Sequence, residues 1–263
     1  MSSNVLALRR SLVIQFRVIG ALLMREVLTR YGRHNIGFMW MFAEPMMFTL
    51  GVAALWSFAK IGHTSMPIIP FAVTGYSSVL LWRNMPGRCS GAVEPNLALM
   101  YHRNIKVIDI YASRILLEFS GATMSFSILS LFFISIGWMS FPEDVLKVIL
   151  GWFMLAWFGA SLAMTIGALS ELSDVIEKIW HPITYLLFPL SGAMFMVEWL
   201  PDAARNIILF LPMVHGVEIL REGYFGSAIR AHYDISYMAV ICLCMTLLGL
   251  TLTHEAGRRV TPE

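Results

Sequence analysis

The sequence predicts an all-α membrane protein with six transmembrane helices, an N-terminal amphipathic interface helix, and short re-entrant helices between the last two spans. Three observations lead there. Apolar residues fill 57% of the 263 positions, charged residues 14%, and the mean hydropathy is +0.69. A soluble domain carries about 25% charged residues, so lipid must solvate much of this surface. Six apolar segments (residues 36–58, 68–82, 115–138, 145–169, 179–199 and 235–253) approach the ~20 residues that a ~30 Å hydrocarbon core requires. The cations are also asymmetric. With the N-terminus in the cytoplasm, Arg9, Arg10, Arg17, Arg25, Arg30, Arg33, Arg83, Arg88, Arg103, Lys106, Arg114, Lys178, Arg258 and Arg259 lie inside. Lys60, Lys147, Arg205, Arg221 and Arg230 lie outside, so fourteen of nineteen cations are internal and both termini read as cytoplasmic.

The elements follow in order. Residues 11–33 form a helix that does not span. In its second half Met24, Val27, Leu28 and Tyr31 make an apolar stripe, and Arg25, Glu26, Thr29, Arg30 and Arg33 occupy the other face. That pattern predicts a helix lying at the interface against anionic headgroups, either as a plain anchor or as a contact for a partner. Leu12–Met24 is not a signal sequence, because Gln15 and Arg17 interrupt it and no small-residue cleavage site follows.

The first span contains Glu44 and Pro45. A carboxylate inside a span faces protein or a watery cavity, so Glu44 either lines a conduit or is a structural acceptor near the cytoplasmic edge. The proline frees a carbonyl and allows a kink. Pro86, Gly87 and Pro95 punctuate the longest cytoplasmic connection. Asn96 then reads as the N-cap of a short helix within 96–106 that displays Tyr101, His102, Arg103 and Asn104. A short aromatic and basic element suits docking to another protein, although a solvated loop is the plainer alternative.

The connection at 170–178 is helical and acidic, and His181, Pro182 and Pro189 predict a bent fifth span. Residues 199–233 are too long for a turn. Residues 203–211 are too short to cross, and Pro212 starts a second short helix, so the chain re-enters the outer leaflet and turns back. Glu198, Trp199, His215, Glu218 and Arg221 can shape an outer mouth there, or Trp199 can belong to an interfacial aromatic belt.

Several function classes are excluded or left without support. The net charge of +2 does not imply a nucleic-acid partner. Cys89, Cys242 and Cys244 offer no disulfide framework and no zinc spacing. The sequence has no G-x-x-x-x-G-K-[ST], G-x-S-x-G, H-E-x-x-H or C-x-x-C motif. This inventory favours a conduit over a catalytic centre.

The run Arg30-Tyr31-Gly32-Arg33-His34-Asn35-Ile36-Gly37-Phe38-Met39-Trp40, followed by Glu44-Pro45, resembles the start of the first span in membrane subunits of ABC-2 type polysaccharide exporters. The segment Tyr101-His102-Arg103-Asn104 and the outer pattern Ser191-Gly192, Leu200-Pro201, Pro212, His215-Gly216, Glu218 and Arg221 extend the likeness over the whole chain. It is closest to the permeases of group 2 capsular polysaccharide export in Gram-negative bacteria. The resemblance implies a single permease domain over 1–263, acting as a homodimer in the inner membrane with a separate ATPase that binds ATP and Mg. The helix near Tyr101–Asn104 becomes the coupling helix seated in that ATPase. The implied cargo is a lipid-linked acidic polysaccharide, passed on to a periplasmic co-polymerase and an outer-membrane exporter. No cofactor is implied for this chain.

Aromatic faces stack on sugar rings and Arg forks pair with carboxylates. Tyr76, Trp82, Arg83 and Arg88 at the cytoplasmic end of the second span are therefore the entrance candidates, with an aromatic belt plus internal charge as the plainer reading. An O-antigen or teichoic-acid exporter, a drug or small-lipid exporter, a membrane-embedded acyltransferase using Glu44 and His181, and a passive scaffold are the competing functions.

Overall fold

The computed structural model describes residues 3–31, 35–59, 66–103 and 105–260, apart from a number of side chains in the first, second, fourth and last helices. The described residues form ten α-helices and no strand: α1 (Ser3–Tyr31), α2 (Asn35–Ala59), α3 (Ile68–Cys89), α4 (Leu97–Arg103), α5 (Val107–Ser135), α6 (Val145–Leu172), α7 (Asp174–Leu190), α8 (Asp202–Ile208), α9 (Pro212–Phe225) and α10 (Ile235–Val260).

Three described helices are long and apolar enough to cross a membrane: Val107–Ser135, Val145–Leu172 and Ile235–Arg259. Their outward faces carry large apolar side chains such as Leu131, Phe132, Phe153 and Leu247, each more than half exposed, as lipid-facing residues are. The helices α8 and α9 meet at 107°, in the manner of a broken span or a re-entrant pair. The segment expected at 68–82 is a different kind of helix. Every residue from Pro70 to Trp82 in α3 is buried. Protein surrounds it, so it accommodates Thr74, Gly75, Ser77 and Ser78 without being strongly apolar.

The core is built on α6. It packs against α3, α9 and α10. Trp152 of α6 stacks on Phe126 of α5 at 4.6 Å, and its Nε1–H donates to Thr123 Oγ1 at 2.9 Å. Such a satisfied indole can sit inside at no cost in unpaired polar groups.

Several expected boundaries move, each for a local reason. The helix expected to end at Trp82 runs on to Cys89, so Pro86 and Gly87 lie in its last turns rather than opening the loop. The span expected from residue 115 begins at Val107. There the Asp109 carboxylate accepts from Lys106 N–H at 3.0 Å and fixes the helix start two turns earlier. The span expected over 179–199 stops at Leu190, and Glu198 and Trp199 lie in a separate 3-10 turn, Val197–Trp199. The polar edge of α1 is directed partly into the protein. Arg25 donates to Asn96, and Glu26 pairs with Arg114 at 3.4 Å. The apolar side that packs on Leu117 of α5 is formed by Leu23 and Val27, whereas Met24 and Leu28 are exposed.

Candidate functional site

Two polar regions stand at opposite ends of the bundle. The first joins α3 to α7 and α5. Trp82 is fully buried and meets Phe158 edge-on at 5.9 Å; Tyr76 is 8% exposed and meets Phe188 edge-on at 5.8 Å. Neither ring faces open space within one chain. Arg83 does reach the surface, and its guanidinium sits 4.8 Å over the ring of Tyr185, which is 68% exposed. Arg88 is half-exposed and pairs with Glu118 at 3.2 Å. Arg114 donates to the Arg88 carbonyl at 2.6 Å. Thus Arg83 and Arg88 share one end of α3, with Trp82 and Tyr76 packed behind them.

Sequence reading did not single out Tyr185. Its signal lay in α7, where Val175, Ile179, Ile183, Leu186 and Leu190 are all exposed and only Trp180 and Thr184 are buried. A helix that turns most of its apolar side chains outward is covered by lipid or by another chain. Tyr185 and Arg83 stand beside that stripe. A planar guanidinium over an exposed aromatic ring offers both a stacking face and fixed N–H donors.

The short helix α4 follows. Met100 is buried and Tyr101 is 64% exposed. The side chains of His102 and Arg103, and all of Asn104, lie outside the described residues, as does the side chain of Glu44. Asn96 precedes α4, yet its amide does not cap it. Nδ2 donates back to Ala92 O at 2.8 Å, and Oδ1 accepts from Arg25. Val93 N–H donates to Glu171 at 3.3 Å. These bonds tie the segment before α4 to α1 on one side and to the end of α6 on the other.

The second region lies where α9 meets the segment after α7. Arg221 of α9 has no exposed surface. Its Nη1 donates to Gly192 O at 2.5 Å and Phe195 O at 2.6 Å, and Nη2 donates to Ala193 O at 2.6 Å. The guanidinium also lies 4.0 Å over the Phe71 ring, which stacks on Trp199 at 5.4 Å. Those carbonyls follow the end of α7, and Arg221 takes the place of the amide donors that a continuing helix would supply. Gly192 adopts φ +82°, which a side chain would oppose. Gly75 of α3 is pressed against the same loop. A Cβ there would stand 2.6 Å from both Ala193 O and Arg221 Nη2.

Glu218 is buried one turn before Arg221. It accepts from Val197 N–H at 3.3 Å and His232 N–H at 3.0 Å. His215 Nδ1 accepts from Asp234 N–H at 2.8 Å, so the ring is neutral and Nε2–H donates to Leu209 O at 2.8 Å. The His232 ring bonds the exposed Glu198, which also approaches Arg205 at 3.8 Å. The hydrogen bond from His232 holds the Glu198 carboxyl below the ordinary carboxylate range. The five residues expected at an outer mouth therefore come together. Three of them, His215, Glu218 and Arg221, turn inward and hold loops, while Glu198 and Trp199 reach the surface. Among the described residues, no group of three His, Cys, Asp or Glu side chains could hold a metal ion.

Comparison with known proteins gives this geometry a family. The profile described as ABC-2 type transporter matches residues 17–225. The chain is 40% identical over 256 residues to the capsule polysaccharide export inner-membrane protein BexB of Haemophilus influenzae, covering 97% of each chain. It is 39% identical over 254 residues to CtrC of Neisseria meningitidis serogroup B, a protein of the same description, covering 96% of each. It is 26% identical over 254 residues to the polysialic acid transport protein KpsM of Escherichia coli, covering 93% of this chain and 95% of that one.

Proposed function

The chain belongs to the ABC-2 type transporter family, and from that premise we propose that it is the membrane-spanning subunit that exports lipid-linked capsular polysaccharide across a bacterial inner membrane. The observation that carries this reading is the near-complete alignment with capsule polysaccharide export inner-membrane proteins at both ends of the chain.

The chain is a transport subunit. Its energy comes from a separate ATPase that binds ATP and Mg. Two copies form the conduit, crossing six times each, with both termini in the cytoplasm and α1 at the interface. The domain is single, over 1–263. Tyr101, His102, Arg103 and Asn104 meet the ATPase. A periplasmic co-polymerase and an outer-membrane exporter take the cargo onward.

An acidic glycolipid faces two barriers: its charges resist hydrocarbon, and its acyl chains resist water. The Arg83–Tyr185 pair lowers the first. The guanidinium pairs with a carboxylate or phosphate while the aromatic face receives a sugar ring. Arg88, kept in place by Glu118 and by Arg114, extends the positive approach. Tyr76 and Trp82 back this edge from inside, and Glu44, whose side chain lies outside the described residues, is a conduit candidate by its place in the first span. At the far end Glu198 and Trp199 stand at the rim, held from behind by His215, Glu218 and Arg221. ATP binding closes the ATPase pair and carries α4 with it. The ties from its approach segment to α1 and α6 pass that motion into the bundle.

The test is surface capsule in cells whose own permease is replaced by this chain. Arg83→Ala with Arg88→Ala is expected to cut polysaccharide-stimulated ATP hydrolysis and surface capsule about tenfold while the complex still assembles. Wild-type capsule from that double variant counts against the entrance. Absence of capsule with the wild-type chain, together with its normal assembly, counts against the cargo.

A further inference from the structure

A cleft of about 740 Å³ opens beside α4, between the start of α5 and the last turns of α10. Met100, Val107 and Leu250 form apolar walls, and Lys106, His254 and Arg258 supply the polar edge. Among the described residues, no carboxylate lines it. Asp109 is engaged by Gln15 and by the Lys106 backbone, and Glu255 pairs with Arg259 at 4.0 Å. Among the described residues, no ion pair engages Lys106, His254 or Arg258.

The cleft is graded along the membrane normal. Leu250 and Arg258 lie on α10, a helix long and apolar enough to cross the bilayer, and are separated by about 12 Å along its axis. Its basic end therefore lies at headgroup level, while its apolar end lies among acyl chains. A soluble anion would leave the apolar walls uncovered, and a neutral lipid would leave the cations without a counter-charge.

We propose that this cleft binds one anionic phospholipid of the cytoplasmic leaflet. The phosphate sits between Lys106 and Arg258 with His254 beside it, and the acyl chains lie along Leu250 and Val107. Met100, 4% exposed, belongs to α4 and to the cleft wall, while the adjacent Tyr101 faces outward. A seated lipid thus supports the inner side of the docking helix and keeps its outer side presented. This inference goes beyond the export reading and rests on it only for the leaflet to which the cleft opens.

The experiment uses the full chain, copurified with its ATPase and placed in phosphatidylethanolamine vesicles containing a photoactivatable phosphatidylglycerol. Label is expected on the peptides bearing Lys106 and His254–Arg258. Unlabelled phosphatidylglycerol competes and phosphatidylcholine does not. Lys106→Ala with Arg258→Ala is expected to lower the label at least fivefold, whereas Arg259→Ala stays within twofold of wild type. The charge-preserving Lys106→Arg with Arg258→Lys retains it. The proposal is overturned if wild-type label avoids those peptides, if phosphatidylcholine competes equally, if the glycolipid cargo displaces the probe in preference to phosphatidylglycerol, or if the alanine double variant labels as wild type. Label that persists in a chain unable to export counts against the export reading alone.

Discussion

Arg221 is a charged side chain with no exposed surface, and its three carbonyl partners belong to the loop after α7, nearly thirty residues earlier in the chain. Burying a guanidinium is costly unless its donors are used; three short bonds engage Nη1 and Nη2 and the Phe71 face covers the plane, while Nε is buried without a hydrogen-bond partner. Arg221→Leu orphans those carbonyls and leaves the Phe71 face without its cation. The expected loss is on the order of 3–5 kcal/mol, read as a lower midpoint of thermal unfolding in detergent. Arg221→Lys is expected to recover only part, because an ammonium lacks the fork. Gly75→Ala drives a methyl to 2.6 Å from Ala193 O, a backbone atom that Arg221 holds in place, and is expected to cost about 1–3 kcal/mol by the same measurement. Glu198 gives the pH dependence. Its carboxyl titrates below the ordinary value of 4.5, so its contribution is complete above that pH and is lost as pH falls through the lowered value. Glu198→Gln should therefore melt slightly below wild type near neutral pH and coincide with it in strong acid; a gap that widens in acid contradicts the sign. The outer polar residues were legible as unusual groups in an apolar context. Their direction was not, because it depends on a loop whose carbonyls sequence spacing cannot aim.

At the scale of elements, apolar length and turn residues located most helices, and errors cluster where polar bonds set an end. The helix α7 looked continuous through Trp199 because residues 179–199 are mostly apolar, yet Arg221 captures the carbonyls needed for continuation. The helix α5 starts early because Asp109 meets the Lys106 amide. The inward face of α1 includes Val27 of the expected stripe but takes Leu23 in place of Met24 and Leu28, as Arg25 and Glu26 find partners inside the protein. Tyr185 escaped notice because an aromatic residue in a span usually signals packing, and only the exposure of α7 distinguishes it. The α4 element carries its own prediction. Tyr101→Ala with Arg103→Ala is expected to lower capsule export tenfold or more while membrane insertion and the unfolding midpoint stay near wild type. Undiminished export in that variant would remove docking from α4.

For the whole molecule, low charge, high hydropathy and the one-sided cations were enough to read a multi-helix membrane protein. They do not say which segments meet lipid. The buried α3 shows why: a helix enclosed by α2, α5 and α6 needs no uniform apolarity. The unpartnered stripe on α7 and the weak polar content of the outer faces of α5 and α10 are surfaces for lipid or a second copy, and the account assigns the α7 side to the path. Sealed vesicles test that account most directly. The chain, its copurified ATPase and lipid-linked capsular polysaccharide are reconstituted together, and polysaccharide protected from external glycosidase is measured over time. Protected polysaccharide is expected when ATP, the ATPase and this chain are all present, and none when any one is omitted. Protection that proceeds without the ATPase, or its absence from an assembled complex that hydrolyses ATP, would contradict it.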